Sequence, residues 1–173
     1  GRRLVVVGGG PAGLAAALAA SRAGWEVILL ERGPALGGQF ALASLTPTKM
    51  AMEAPFRSLV RAVEASKVEV RLGVEAEPST VLALAPDRVV VATGSRPLVP
   101  PVPGLDDPLF AAEVLGGSRE VGHRVLVLGG GMVGSELAEH LATCGHEVVV
   151  VELLDDMARD MDALTRSMML HRF

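Results

Sequence analysis

The sequence predicts an α/β chain made of two successive βαβ units with parallel strands. Three observations carry that reading. An apolar run at Leu4–Val7 leads directly into glycines at positions 8, 10 and 13. An Ala/Leu-rich stretch follows, then a second apolar run, Val27–Leu30, closed by Glu31. The whole pattern then recurs in Val125–Leu153: Gly8, Gly10, Gly13, Gly24, Glu26, Val27 and Glu31 match Gly129, Gly131, Gly134, Gly145, Glu147, Val148 and Glu152, each 121 residues further on with no gap.

Each residue of the pattern has a physical task. Gly8 permits a tight turn out of the first strand. Gly10 lacks a Cβ, so backbone can approach a diphosphate closely. Gly13 lets the following helix lie close against the strand. That helix begins at Pro11 and Ala12, and proline suits a first position where its missing N–H is no loss. Its N-terminus offers unpaired N–H groups and the positive end of the helix dipole to phosphate. Glu31 can accept hydrogen bonds from ribose hydroxyls and would repel a 2'-phosphate. A G-x-G-x-x-G alone is weak. Between a strand and a helix, with the acid at the expected distance, it reads as a Rossmann-like dinucleotide-binding unit. Its duplication predicts two nucleotides.

Composition narrows the remaining classes. The chain has 173 residues, 50% of them hydrophobic and 21% charged, with a net charge of −4. That suits a globular protein and gives no electrostatic reason to bind nucleic acid or an anionic membrane. No apolar run reaches the roughly 18 residues of a membrane span. The opening Gly1-Arg2-Arg3 precedes a strand rather than a secretory core, which points to a cytoplasmic protein. Cys144 is the single cysteine, so no internal disulfide, Cys-x-x-Cys pair or iron–sulfur site can form within these residues. On the second Ala/Leu helix it is expected to be a small buried thiol. There is no Tyr and one Trp, Trp25, so base stacking has little to work with.

Read in order, Arg2 and Arg3 are expected to be a solvated lead-in to the first strand. Pro11–Ala23 is the first helix, with Gly24 at its C-terminal cap, and Glu26–Glu31 the second strand. Arg32–Gln39 is a loop by composition. Its Gly37-Gly38 pair fits either a close backbone approach to a ligand or a plain turn. Phe40–Ala54, with Pro47 and the hydroxyls Ser44, Thr46 and Thr48, has no clear period. Pro55–Ser66 is predicted helical, with Phe56, Leu59, Val60 and Val63 on one face, and Val68–Leu72 alternates as a strand. Val74–Pro86 is weakly patterned. Arg88–Thr93 reads as a buried strand, followed by Gly94. Pro97, Pro100, Pro101 and Pro103 crowd seven residues before Gly104, a stiff segment taken as the domain boundary. The domains are therefore 1–103 and 104–173. In the second, a short helix is expected around Phe110–Leu115, a strand at His123–Leu128, and a helix at Leu164–Leu170 after the repeated unit.

Together the GGGPAG turn with Glu31, the Gly37–Gln39 loop, the Ala92-Thr93-Gly94 triplet and Gly129–Glu136 (GGGMVGSE) resemble the two-dinucleotide-binding-domain flavoproteins. In that family the first domain holds FAD and the second NAD(P)H. The stretch from Gly122 to Arg166 further resembles the C-terminal region of the NADH:flavin oxidoreductases of the old yellow enzyme class, which include enoate reductases, 2,4-dienoyl-CoA reductases and trimethylamine dehydrogenase.

The resemblance implies FAD contacts at Gly8, Gly10, Pro11, Ala12, Gly13, Glu31 and Arg32. Gly38 and Gln39 would face the flavin side, and Ala92, Thr93 and Gly94 the diphosphate. NADH contacts fall at Gly129, Gly131, Met132, Val133, Gly134 and Glu152, whose charge favours NADH over NADPH. It also implies a partner: a TIM-barrel domain carrying FMN and an iron–sulfur cluster, outside this chain. The family's second flavin contact, a Gly-Asp, is not among these residues. The expectation is thus a part of a longer protein with both domains incomplete and a partial FAD site.

The implied activity is a flavin-dependent oxidoreductase module that passes electrons from NADH through FAD to a redox centre elsewhere. The flavin does the chemistry, so no catalytic side chain is nominated. His123, His140, His146 and His171 are scattered, Asp155-Asp156 reads as a solvated loop, and no metal site is expected. The alternative is a non-redox module holding ADP as a structural element. A disulfide reductase is disfavoured, because it needs two cysteines near the flavin. An open sheet edge also leaves room for pairing with a second copy.

Overall fold

The computed structural model describes residues 1–173, apart from the side chains of Pro47 and Thr48. The chain divides into two compact units. One comprises Gly1–Ser44 and Lys49–Leu98, the other Leu45–Thr48 and Val99–Phe173.

The first unit runs β1 (Arg3–Val7), α1 (Pro11–Arg22), β2 (Glu26–Leu30), α2 (Gly38–Ala43), α3 (Glu53–Glu64), β3 (Glu69–Arg71), α4 (Pro78–Ala83) and β4 (Arg88–Val91). A 3-10 helix occupies Pro47–Met52. The four strands form one sheet in the order β3-β2-β1-β4, parallel throughout. Val5 stands opposite Ile28 on one side and Val89 on the other. Parallel pairing forces every connection to cross a face of the sheet, and the helices do so.

Alternate side chains of β1 and β2 serve two cores. Leu4, Val6, Val27 and Leu29 pack with Leu14, Ala17 and Leu18 of α1 and with Phe56 and Val63 of α3. Val5, Ile28 and Leu30 pack on the opposite face with Val81 of α4. Burial on both faces explains why these strands are unbroken apolar runs rather than alternating ones.

Several expectations need correction here. The segment Phe40–Ala54, read as without period, contains part of α2 and the 3-10 helix. The weakly patterned 74–86 stretch contains α4, whose six residues are too few for a helical period to show. Arg88–Thr93 is not a buried strand. β4 ends at Val91, lies at the sheet edge with β1 as its one neighbour, and leaves Val91 75% exposed. Arg2 and Arg3 are not free. The Arg2 guanidinium sits 4.4 Å above the Trp25 ring, and Arg3 is in β1, paired with Glu26 at 2.9 Å and donating to the Leu84 carbonyl at 2.7 Å.

The second unit runs α5 (Ala111–Leu115), β5 (Arg124–Leu128), α6 (Met132–Thr143), β6 (Glu147–Val151) and α7 (Ala163–Arg172). β5 and β6 pair in parallel, Val125 opposite Val148. Leu137, Ala138 and Leu141 of α6 are buried with Val127 on one face of this pair. The other face is open, with Leu126 59% and Val149 61% exposed. An ion pair between Arg172 and Glu139 ties α7 to α6. Cys144 is not the buried thiol expected of it. It is the exposed C-cap of α6, beyond the last residue that α6 turns toward the strands, with Sγ 3.9 Å from His140 Nε2. Among the described residues no helix is long and apolar enough to cross a membrane.

Candidate functional site

In each unit the site residues gather at the carboxyl end of the first strand, where ligands bind in open parallel sheets. The turn leaves β1 at Gly8, whose φ of +106° only glycine adopts freely. The Gly8 N–H donates to the Leu30 carbonyl at 2.8 Å, which holds the turn against β2. A Cβ on Gly13 would lie 1.8 Å from the Gly8 carbonyl oxygen, so α1 crosses the turn in direct backbone contact. Gly10, the N-cap of α1, has nothing within 4 Å of the place a Cβ would take. The space above the helix N-terminus is therefore open.

Three further segments close around this turn. Glu31 Oε2 accepts from the Gly9 N–H at 2.6 Å and Oε1 from the Gly33 N–H at 2.7 Å. This carboxylate clasps the glycine turn to its own loop. The 92–94 segment follows β4, and the Ala92 carbonyl would be 2.3 Å from a Cβ on Gly8. Thr93 and Gly94 continue from there, with Thr93 exposed. The Gly37 N–H donates to the Gly9 carbonyl at 2.9 Å, which brings Gly38 against Gly10.

The two readings of the Gly37-Gly38 pair divide between its members. Gly37 is buried, and a Cβ there would lie 2.7 Å from the Ala41 Cβ and 3.2 Å from the Phe56 ring, so its reason is packing. Gly38 is exposed beside the open turn. Gln39 Nε2 donates to the Ser95 carbonyl at 3.1 Å, joining the loop to the end of the 92–94 segment. Arg32 is exposed next to Glu31.

The second unit repeats the scaffold bond for bond. Gly129 has φ +100° and donates to the Val151 carbonyl at 2.8 Å. A Cβ on Gly134 would lie 1.9 Å from the Gly129 carbonyl oxygen. Gly131 is the N-cap of α6, Met132 its first residue, and Val133 is exposed. Glu152 Oε2 accepts from the Gly130 N–H at 2.5 Å and Oε1 from the Leu154 N–H at 2.9 Å. The Leu154 and Gly130 backbone bonds hold the Glu152 carboxyl below the usual range, so it is ionised at neutral pH. Its contribution to stability is complete above the ordinary glutamate value and is lost as pH falls through the depressed one.

Two residues at this second turn escaped the sequence reading. Ser135 is fully buried and its Oγ donates to the Gly130 carbonyl at 2.9 Å, where the first unit has Leu14. Asp160 Oδ1 accepts from the Met132 N–H at 2.7 Å. The signal for Asp160 was the repeat itself, because residue 160 matches Gln39 under the same offset of 121.

The geometry fits a dinucleotide at the first turn: a glycine-lined backbone, an open helix N-terminus, a carboxylate at the second strand and a third segment from β4. Comparison with known proteins agrees. The family model for pyridine nucleotide-disulphide oxidoreductase matches residues 2–173. An NADH oxidase of Thermoanaerobacter brockii is 43% identical over 99% of this chain and 27% of its own length. A bilirubin reductase of Mediterraneibacter gnavus is 40% identical over 99% of this chain and 27% of its own. Among solved structures, a 2-naphthoyl-CoA reductase complex superposes with a TM-score of 0.91 at 28% identity, over 98% of this chain and 26% of that one. The chain thus spans about a quarter of the length of these relatives.

Proposed function

Because the chain belongs to the pyridine nucleotide-disulphide oxidoreductase family, we propose that it is the cofactor-binding module of a flavin-dependent oxidoreductase, with FAD in domain 1–103 and NADH in domain 104–173. Electrons pass from NADH through FAD to a redox centre in a part of the protein outside this chain. The observation that carries the reading is the duplicated clasp, in which a carboxylate at the second strand grips each glycine turn.

The assignment of FAD to the first unit is what the resemblance to the two-dinucleotide-binding-domain flavoproteins implies. The 92–94 segment and Gly38-Gln39 both lie beside its turn, which supports that reading. FAD, when bound, accepts a hydride and releases electrons singly or in pairs. The chain's own residues bind and orient: Gly8, Gly10 and Gly13 admit the diphosphate, Glu31 receives the ribose, and Ala92–Gly94 wall the other side. In the second unit Glu152 sits where a 2'-phosphate would fall. Its charge makes NADH the preferred donor over NADPH.

Cys144 is the single cysteine of the chain, so these residues hold no cysteine pair that could take electrons from the flavin. We take the electron acceptor to lie in a partner domain, for which the resemblance suggests an FMN and iron–sulfur barrel, in keeping with relatives about four times as long. The test is spectroscopic. The purified chain, loaded with FAD, freed of unbound flavin by gel filtration and kept anaerobic, is expected to stay yellow and to bleach on adding NADH, with a weaker response to NADPH. Colourless protein that takes up ADP but no flavin would establish the non-redox alternative.

A further inference from the structure

We propose that Asp160 occupies the anion position of the second glycine turn, so that a dinucleotide's diphosphate binds there only by displacing it. The inference rests on the second unit being the NADH site, and it concerns how that site is regulated by the chain itself.

In both units the loop after the second strand folds back onto the glycine turn by the same backbone bond. The Gly37 N–H donates to the Gly9 carbonyl at 2.9 Å, and the Ala158 N–H to the Gly130 carbonyl at 2.6 Å. Two residues later the units part. Gln39 is uncharged and turned toward the Ser95 carbonyl. Asp160 carries a carboxylate, and Oδ1 takes the Met132 N–H at 2.7 Å.

The donor explains the difference. The first helical residue is Pro11 in one unit and Met132 in the other. Proline has no N–H to satisfy, whereas Met132 does. A carboxylate at a helix N-terminus is favoured by the same N–H groups and dipole that attract phosphate. Asp160 therefore imitates the ligand. It also lines the cavity at this turn with Gly130, Gly131 and Glu152, its Oδ2 and Oδ1 3.3 and 3.5 Å from where a Gly131 Cβ would be. The matching space over Gly10 is open.

The strap that carries Asp160 is anchored at both sides. Ala158 is 1% exposed and has φ +52°, a conformation that alanine adopts at a cost. Arg166 donates to the Met157 carbonyl at 2.8 Å and pairs with Asp156, Arg159 pairs with Asp155, and Asp162 caps α7 through the Thr165 N–H. The anchors hold the backbone of the strap, and the Asp160 side chain is exposed to solvent. A phosphate oxygen that takes the Met132 N–H must replace Asp160 Oδ1 there, and the two negative groups repel each other at that distance.

The test uses the full chain and its Asp160→Ala, Asp160→Asn and Asp160→Gln variants, the last restoring the residue of the first unit. NADH and ADP-ribose binding is measured by calorimetry, and exchange of the Met132 amide by hydrogen–deuterium NMR without nucleotide. We expect Asp160→Ala to tighten both ligands roughly 5-fold, Asp160→Asn to fall between it and the parent, and Met132 exchange to accelerate in Asp160→Ala. FAD binding at the first unit stays unchanged. If the parent binds NADH and Asp160→Ala binds it equally or more weakly, the competition is refuted while the NADH site stands. Unaltered Met132 exchange in Asp160→Ala overturns it too. If neither parent nor variants bind NADH or ADP-ribose, the NADH assignment fails and takes this inference with it.

Discussion

At the first glycine turn the space over Gly10 is empty, and at the second the carboxylate of Asp160 stands over Gly131. Everything beneath is shared. Both turns leave their strand at a glycine with positive φ, both are crossed by a helix in backbone contact at the third glycine, and both are gripped by a glutamate through the N–H of the middle glycine. The difference teaches that the duplicated pattern specifies a backbone cradle and leaves its occupancy to two other positions, Pro11 or Met132 and Gln39 or Asp160. The sheets differ as well. Helices cover both faces of the first, and α6 covers one face of the second, although the strand sequences are equally apolar.

The largest expected effect probes what the units share. Gly13→Ala and Gly134→Ala each push a Cβ to within 1.8 or 1.9 Å of a backbone carbonyl, which neither turn can yield. Each is expected to cost about 3 kcal/mol or more, read as a lowered thermal midpoint. Comparable losses support a common scaffold, and a mild effect at either position breaks the comparison.

A smaller effect probes where the units part. Gly37→Ala should destabilise by roughly 2 kcal/mol, because its Cβ meets the Ala41 Cβ at 2.7 Å and its φ is +135°. The reciprocal change, Ala158→Gly, should stabilise by about 0.5 kcal/mol, since relief of left-handed strain slightly outweighs the added freedom of the unfolded chain. Urea unfolding of both variants checks the sign. Destabilisation by Ala158→Gly would mean that the strap needs its side chain rather than its bend.

The cradle was legible because its causes are local. Glycine spacing, the strand–helix context and the acid at the next strand each leave a mark within one βαβ unit, and the gap-free repeat doubled them. The position of Ala92–Gly94 beside Gly8 was legible as a strand end in a parallel sheet. What escaped has long-range or short-element causes. α4 is six residues, Pro78–Ala83, and helical periodicity needs more. The exposure of β4 depends on its place at the sheet edge, which RVVVAT does not encode. Cys144 was expected as a small buried thiol on its helix but is the exposed cap, one residue past the helix end. Asp160 pairs with a backbone amide 28 residues away, and backbone leaves no trace in sequence except through Met132 standing where the first unit has proline.

The central claim is that two copies of one cradle seat two different dinucleotides. The most direct measurement is a pair of calorimetric titrations, FAD and then NADH, on the parent chain, Glu31→Gln and Glu152→Gln. The account predicts one site for each nucleotide, with Glu31→Gln weakening FAD alone and Glu152→Gln weakening NADH alone. Both variants impairing the same nucleotide, or a single shared site for FAD and NADH, would contradict it.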